Sequence, residues 1–204
     1  MNAFTESPDR AHWQLQPGDA LLIVDVQNDF LPGGSLAVPR GDEVVPALNR
    51  AIDAFKARGL PVCATRDWHP ERHCSFREQG GPWPPHCIAH TRGAEFAAAL
   101  RLPPAAAVIS KATSADRDAY SGFEGTDLDA RLRAAGVRRL FVGGLATDYC
   151  VLNTVRDALR LGYEVMLLSD AIRAVDVRPG DGQRAEAEMA RLGAQRISLQ
   201  GLSA

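Results

Sequence analysis

The sequence predicts an α/β protein in which a parallel sheet carries helices on both faces. Two observations indicate this class: six short apolar runs recur along the chain, and helical patterns lie between several of them. The runs are continuously apolar rather than alternating, as expected of strands that are covered on both faces. Because parallel neighbours need a crossover connection, the repetition of strand and helix favours a parallel sheet.

The six predicted strands share an apolar interior and boundaries rich in turn-forming or charged residues. They span residues 20–26, 60–66, 105–110, 139–145, 164–169 and 196–200. Four helices are predicted from caps, apolar spacing and terminal glycines. They run from a cap at Asp42 through Ala57, from Thr126 or Asp127 to Gly136, from Thr147 or Asp148 to Gly162, and over residues 183–192.

Two segments have no consistent period. Residues 67–92 are rich in proline, glycine and histidine, and residues 113–125 follow the third strand. A long irregular loop inside a compact domain is usually functional, so we expect the first segment to contribute to a site.

Length and charge limit the classes of function. A chain of 204 residues predicts one domain over residues 1–204, in which residues 1–17 form an N-terminal extension. The net charge of −2 and the pI near 6.2 give no basic excess for nucleic acid or a membrane surface, and favour a small neutral ligand. No secretory signal or transmembrane run is recognised, so a cytoplasmic location with reduced cysteines is expected. Homo-oligomerisation stays open.

Reactive side chains occur at the carboxyl ends of four predicted strands. Asp25, Asp67, Lys111 and Cys150 each lie at or just beyond the end of a separate run. Ligands of open α/β sheets bind at this edge, where loops and helix N-termini converge. The four residues are therefore expected to share one rim of the sheet.

Each of these residues also has a structural interpretation. On the structural interpretation, Asp25 is a helix cap or a surface acid. It interrupts an apolar run, however, where burying a carboxylate without a partner costs free energy. Lys111, one of only two lysines among 23 basic residues, is otherwise a surface cation. On the structural interpretation, Cys150 is a small buried residue of the apolar core. Its predicted place in the first turn of a helix, however, favours a thiolate and offers free N–H groups to an oxyanion.

A metal site is predicted in the first irregular segment. Asp67, His69 and His86 offer one carboxylate and two imidazoles, which suit Zn²⁺, Fe²⁺ or Mn²⁺ with positions left open. His73 is a candidate fourth ligand or a hydrogen-bond partner of a ligand. Surface histidines without a metal are the alternative, which applies more readily to His90 and to His12.

Six motifs resemble, in order, those of nicotinamidases in the isochorismatase-like cysteine hydrolase superfamily. They are VDVQNDFLPGGSLAV, TRDWHPERHCSF, GGPWPPHC, TRGAEF, ISKATSADRDAYSGFEGTDL and GGLATDYCV. The likeness covers roughly residues 18–200. It implies a three-layer α/β/α fold around a six-stranded parallel sheet, which agrees with the pattern of strands and helices.

The resemblance also implies a site and a reaction. It assigns a catalytic triad to Asp25, Lys111 and Cys150, and one divalent metal, preferably zinc, to Asp67, His69 and His86. The reaction is hydrolysis of nicotinamide to nicotinate and ammonia through a cysteine thioester, and pyrazinamide is expected to react as well. The oxyanion hole is assigned to the N–H groups of Ala146 and Cys150, next to a cis peptide at Leu145–Ala146. The residues assigned to substrate binding are Phe30, Trp83, Tyr120, Leu145 and Ala146.

Three other functions stay open. A related cysteine amidohydrolase acting on N-carbamoyl compounds keeps the triad but lacks the metal ligands. An isochorismatase-type hydrolase lacks the cysteine. A non-catalytic metal-binding or scaffold protein on the same fold is the third alternative.

Overall fold

The computed structural model describes residues 13–203. Residues 1–12 of the predicted N-terminal extension, and His12 with them, lie outside the described residues. The central sheet has six parallel strands in the order β4-β3-β2-β5-β6-β7. These strands are β2 (Asp19–Val24), β3 (Val62–Asp67), β4 (Ala107–Lys111), β5 (Arg139–Leu145), β6 (Glu164–Arg173) and β7 (Gln195–Ile197). Two short strands, β1 (Trp13–Gln14) and β8 (Leu202–Ser203), pair in parallel apart from this sheet.

Helices cover both faces of the sheet. They are α1 (Val44–Ala57), α2 (Leu128–Ala134), α3 (Leu152–Arg160) and α4 (Asp181–Arg191). The apolar face of α1 packs in one core cluster, whereas α2, α3 and α4 contribute to the other. The predicted fold class, a three-layer α/β/α domain with a six-stranded parallel sheet, is confirmed.

Strand β2 explains why the predicted runs are apolar throughout. Leu21 and Ile23 belong to the core cluster on the α1 side, and Leu22 and Val24 belong to the opposite cluster. Successive side chains of a strand point to opposite faces, so a strand between two helical layers needs apolar residues at every position.

The structure corrects several predicted boundaries. Strand β2 ends at Val24 because Asp25 adopts a left-handed backbone conformation with φ of 50°. Strand β6 continues to Arg173, beyond the predicted end at residue 169, because it pairs with β5 again after a register shift between Val142 and Gly144. The third predicted helix begins as a π-helical turn, Thr147–Val151, and becomes α-helical only from Leu152.

Gly144 is required where β5 passes β2. Its φ is +127°, and a Cβ atom built on it would lie 2.0 Å from the backbone oxygen of Val24. Only glycine combines this conformation with so close an approach of two strands. Backbone packing therefore explains why a glycine stands at position 144, near the end of the apolar run 139–145.

No helix within residues 13–203 is long and apolar enough to cross a membrane.

Candidate active site

The structure brings the four strand-end residues together at one rim of the sheet. Asp25 follows β2, Asp67 and Lys111 end β3 and β4, and Cys150 lies in the π-helical turn after β5. Asp67 and Lys111 are direct partners in the register of β3 and β4. The parallel order of the strands thus turns four distant sequence positions into neighbours.

The ammonium of Lys111 lies at the centre of this group. Its Nζ is 3.0 Å from Asp25 Oδ2 and 3.5 Å from Cys150 Sγ, and it forms an ion pair with Asp67 Oδ1. It also donates a hydrogen bond of 3.1 Å to the backbone oxygen of Ala119. The Asp25 carboxylate and the Cys150 sulfur approach within 4.8 Å of each other. One buried cation is therefore shared by two carboxylates and a thiol.

Burial and the shared cation set the protonation states of this group. Burial opposes the charge of Lys111, but Asp25 and Asp67 outweigh it and raise the pKa of the ammonium well above its usual value. Burial raises the pKa of Asp25, with Lys111 acting in the opposite direction. Burial likewise raises the pKa of the Cys150 thiol well above its usual value, against the effect of Lys111.

The pKa shift of Cys150 is opposite in direction to the one expected from its place at a helix start. Desolvation of the buried sulfur outweighs the neighbouring ammonium and favours the thiol over the thiolate. The Asp25 carboxylate, within 4.8 Å, is a titratable group close to this sulfur.

Cys150 is buried but lines a small cavity. In the turn that carries it, the backbone oxygen of Ala146 accepts hydrogen bonds of 3.1 Å from the N–H groups of both Tyr149 and Val151. The Leu145–Ala146 peptide bond is cis, as the resemblance implied.

Three buried residues beside Lys111 have the donor set of a divalent metal site. His69 Nε2 and His86 Nε2 lie 3.9 Å and 4.0 Å from the two carboxylate oxygens of Asp67. The Nδ1 atoms of the two rings face the backbone oxygens of His86 and Pro84, at 2.9 Å and 2.8 Å, and each Nδ1 therefore carries the proton. Burial lowers the pKa of His69 to about 3.

Neutral imidazoles with free Nε2 lone pairs next to a carboxylate are what a divalent cation requires. Asp67, His69 and His86 therefore fit a single divalent metal ion.

His73 is placed differently from these ligands. Its Nδ1 lies 2.7 Å from Ser75 Oγ and its Nε2 lies 3.0 Å from the backbone oxygen of Arg117. A neutral ring has one donor and one acceptor, and both are engaged here. His73 stacks on His69 at a centroid distance of 4.3 Å, which supports the position of that ring. Neither hydrogen bond is to a predicted metal ligand, so His73 supports His69 by stacking and not by the predicted hydrogen bond to a ligand.

The cavity next to Cys150 has aromatic walls. Four of the predicted substrate-binding residues line it: Phe30, Trp83, Tyr120 and Ala146. Leu145 does not, because it is fully buried in the core cluster on the α1 side. Its side chain packs in that core cluster, while the next residue, Ala146, lines the cavity.

Sequence reasoning missed four further lining residues, which are Leu36, Val38, Tyr149 and Val175. Tyr149 stands against Trp83 with ring centroids 5.1 Å apart. Its place next to Cys150 was the available signal, whereas Val175 lies on a distant loop with no recognisable motif.

The family is decided by comparison with known proteins. The family description "Isochorismatase domain" matches residues 19–200. The chain belongs to the isochorismatase family. The family relationship predicted from the motifs is therefore confirmed.

Proteins similar to this chain include a nicotinamidase and a pyrazinamidase. The nicotinamidase of Escherichia coli K12 is 42% identical over 204 residues, which cover 90% of this chain and 96% of that protein. The crystal structure of pyrazinamidase of Pyrococcus horikoshii in complex with zinc is 52% identical with a TM-score of 0.86, covering 90% of this chain and 100% of that one. The crystal structure of PnC1 from L. infantum in complex with nicotinate is 39% identical with a TM-score of 0.86, covering 92% and 96%.

Proposed function

We propose that the chain hydrolyses nicotinamide to nicotinate and ammonia, and pyrazinamide in the same way. The observation that carries the proposal is the meeting of Asp25, Lys111 and Cys150 behind a cavity that Cys150 lines, beside a buried carboxylate and two imidazoles. The nicotinamidase and pyrazinamidase relatives support the choice of substrate.

Asp67, His69 and His86 would hold the metal, and we propose zinc rather than iron or manganese. One carboxylate and two imidazoles suit zinc with a position left open, and the similar pyrazinamidase has been crystallised with zinc. When bound, the metal supplies a Lewis-acid position for the ring nitrogen of the substrate.

The first chemical step is activation of the sulfur. Asp25 takes the proton of the Cys150 thiol as the sulfur attacks the carboxamide carbon, because burial leaves the resting sulfur protonated and the carboxylate is in reach. Lys111 remains charged and stabilises both anions, at 3.0 Å from Asp25 Oδ2 and 3.5 Å from the sulfur.

The second step is collapse of the tetrahedral intermediate. The N–H groups of Ala146 and Cys150 hold the oxyanion, and one such donor contributes about 10²–10³-fold to kcat in comparable sites. The C–N bond breaks, Asp25 returns its proton to the leaving nitrogen, and ammonia departs from a thioester. A water molecule then attacks the thioester carbon while Asp25 takes a proton from it. The C–S bond breaks, nicotinate is formed, and Asp25 returns the proton to the sulfur.

The aromatic cavity orients the ring. Phe30, Trp83, Tyr120 and Tyr149 enclose a flat ligand, and the indole N–H of Trp83 donates a 2.9 Å hydrogen bond to the hydroxyl of Tyr120. A ring held between these walls presents its carboxamide to the sulfur. Such positioning is a large part of the rate enhancement of acyl transfer.

Incubation of the purified chain with nicotinamide and an enzymatic ammonia assay tests the proposal. Stoichiometric nicotinate and ammonia are expected, with pyrazinamide also cleaved and an N-carbamoyl amino acid left intact. Preferential cleavage of the N-carbamoyl compound would assign the chain to the alternative group of amidohydrolases. Absence of turnover on all three, with metal bound, would favour a non-catalytic role.

A further inference from the structure

Thr65 is the register partner of Val24 in the sheet and contacts the next residue, Asp25. Its side-chain hydroxyl donates a 2.6 Å hydrogen bond to Asp25 Oδ1, and its backbone oxygen accepts a 3.2 Å hydrogen bond from the Asp25 N–H. Both residues are completely buried. Two contacts therefore tie the carboxylate of Asp25 and its backbone to one residue of β3.

The hydroxyl makes the two oxygens of Asp25 unequal. Oδ1 is occupied by Thr65. Oδ2 accepts no hydrogen bond of good geometry from any described residue, although Lys111 Nζ lies 3.0 Å from it. A base needs a lone pair that is not engaged elsewhere and that faces the proton it removes. Oδ1 is taken by the hydroxyl, so the lone pair left for the proton is on Oδ2, the oxygen beside the Lys111 ammonium.

The rotamer of Thr65 is fixed from the opposite side. The methyl group of Thr65 lies against Gly122, where an added Cβ would be only 2.7 Å from Thr65 Cγ2. The N–H of Gly122 is itself held by a 2.9 Å hydrogen bond to Thr154 Oγ1. Because the methyl group occupies this space, the hydroxyl is directed toward Asp25.

From this geometry we infer that Thr65 is a positioning residue for the base: its hydroxyl occupies Oδ1 and so leaves Oδ2 to receive the proton of Cys150. The inference rests on the proposed function for the role of Asp25. Without the hydroxyl, Oδ1 has no donor, and the carboxylate turns to share the Lys111 ammonium through both oxygens. The lone pair is then drawn away from the sulfur.

Two substitutions separate the hydroxyl from the methyl group. Thr65→Val keeps the shape and loses the hydroxyl, whereas Thr65→Ser keeps the hydroxyl and loses the methyl group. We expect kcat for nicotinamide to fall roughly 10- to 100-fold in T65V at unchanged KM, a part of the usual contribution of a general base. T65S is expected to retain kcat within about threefold, even where its thermal stability is lower.

Tyr163→Phe is the control, because the Tyr163 hydroxyl also donates to a carboxylate, at 2.7 Å from Asp129 Oδ1, in a partly buried place outside the cavity. It is expected to keep wild-type kcat. A second readout is the rate at which iodoacetamide alkylates Cys150 at fixed pH, followed by mass spectrometry of its peptide. Alkylation is expected to slow in T65V and to be unchanged in T65S and Y163F.

The inference would be overturned if T65V kept the wild-type kcat and the wild-type rate of Cys150 alkylation. It would also be overturned if kcat fell equally in T65S and T65V. Should T65V not fold, Thr65→Ala is compared with T65S, since these two differ only in the hydroxyl. If the wild-type chain does not turn nicotinamide over, the proposed function fails, and the alkylation rates still decide whether Thr65 controls the sulfur.

Discussion

The ammonium of Lys111 lies 3.5 Å from the sulfur of Cys150, across 39 positions of sequence. Lys111 ends an edge strand of the sheet, and Cys150 follows a strand that is three places away in the strand order. The Nζ atom of the lysine also contacts Asp67 at the end of β3 and Asp25 just after β2. One cation is therefore the electrostatic centre of the site.

Replacement of Lys111 by methionine tests that centre. Lys111→Met leaves Asp25 and Asp67 buried without their cation, and removing one partner of a buried ion pair typically costs about 3–5 kcal/mol. We expect a loss of unfolding free energy of this size in urea titrations, together with loss of ammonia release. A variant as stable as the wild type would contradict the central role of the ammonium.

Replacement of Cys150 by alanine separates chemistry from metal binding. Cys150→Ala should abolish ammonia release from nicotinamide while leaving the metal content unchanged, because the sulfur is outside the donor set of Asp67, His69 and His86. Elemental analysis and the ammonia assay on the same preparation check both parts. Turnover near the wild-type rate would end the covalent mechanism.

Replacement of His69 by alanine tests the metal site. His69→Ala removes a free Nε2 and the hydrogen bond to the backbone oxygen of His86, so the bound metal should be lost and KM for nicotinamide should rise at least tenfold. His90→Ala is the control, since His90 is exposed and belongs to neither the metal cluster nor the cavity wall. Equal metal content in H69A and H90A would refute the assignment.

His73 provides a separate test of the ligand set. Both of its ring nitrogens are engaged, with Ser75 and with Arg117, so His73→Ala should keep one metal per chain. The affinity of this variant for the metal should fall by about 10–100-fold, because the substitution removes the ring that stacks on the predicted ligand His69. Competition with a chromophoric chelator measures this difference, and complete loss of metal would make His73 a ligand.

Gly144 provides a test of the framework under the site. In Gly144→Ala the new Cβ would lie 2.0 Å from the Val24 backbone oxygen at a φ of +127°, and two central strands would have to separate. We expect a loss of about 3 kcal/mol or more in unfolding free energy. Gly136→Ala has a φ of +67° with open space around it, and should cost only about 1–2 kcal/mol. Equal losses in the two variants would contradict the packing argument.

The sequence by itself determined the class of the fold and the chemistry at the rim. Strand β2 is apolar on both faces, and this demands helical layers on both sides. Asp25, Asp67, Lys111 and Cys150 were found because each interrupts or follows an apolar run where a polar group is costly. His69 and His86 were found from the chemistry of their donor atoms.

Only the tertiary structure decided which neighbours those groups meet. Thr65 looks like an ordinary buried strand residue in the sequence, and its hydroxyl matters only because β2 and β3 are adjacent in the sheet. Val175 and Tyr149 reach the cavity from separate segments, and both ring nitrogens of His73 are engaged by hydrogen bonds to Ser75 and Arg117. The period of the sequence determines which face of an element a side chain lies on. Strand order determines its partners, and desolvation determines its charge. Strand order and desolvation arise only when distant segments pack together.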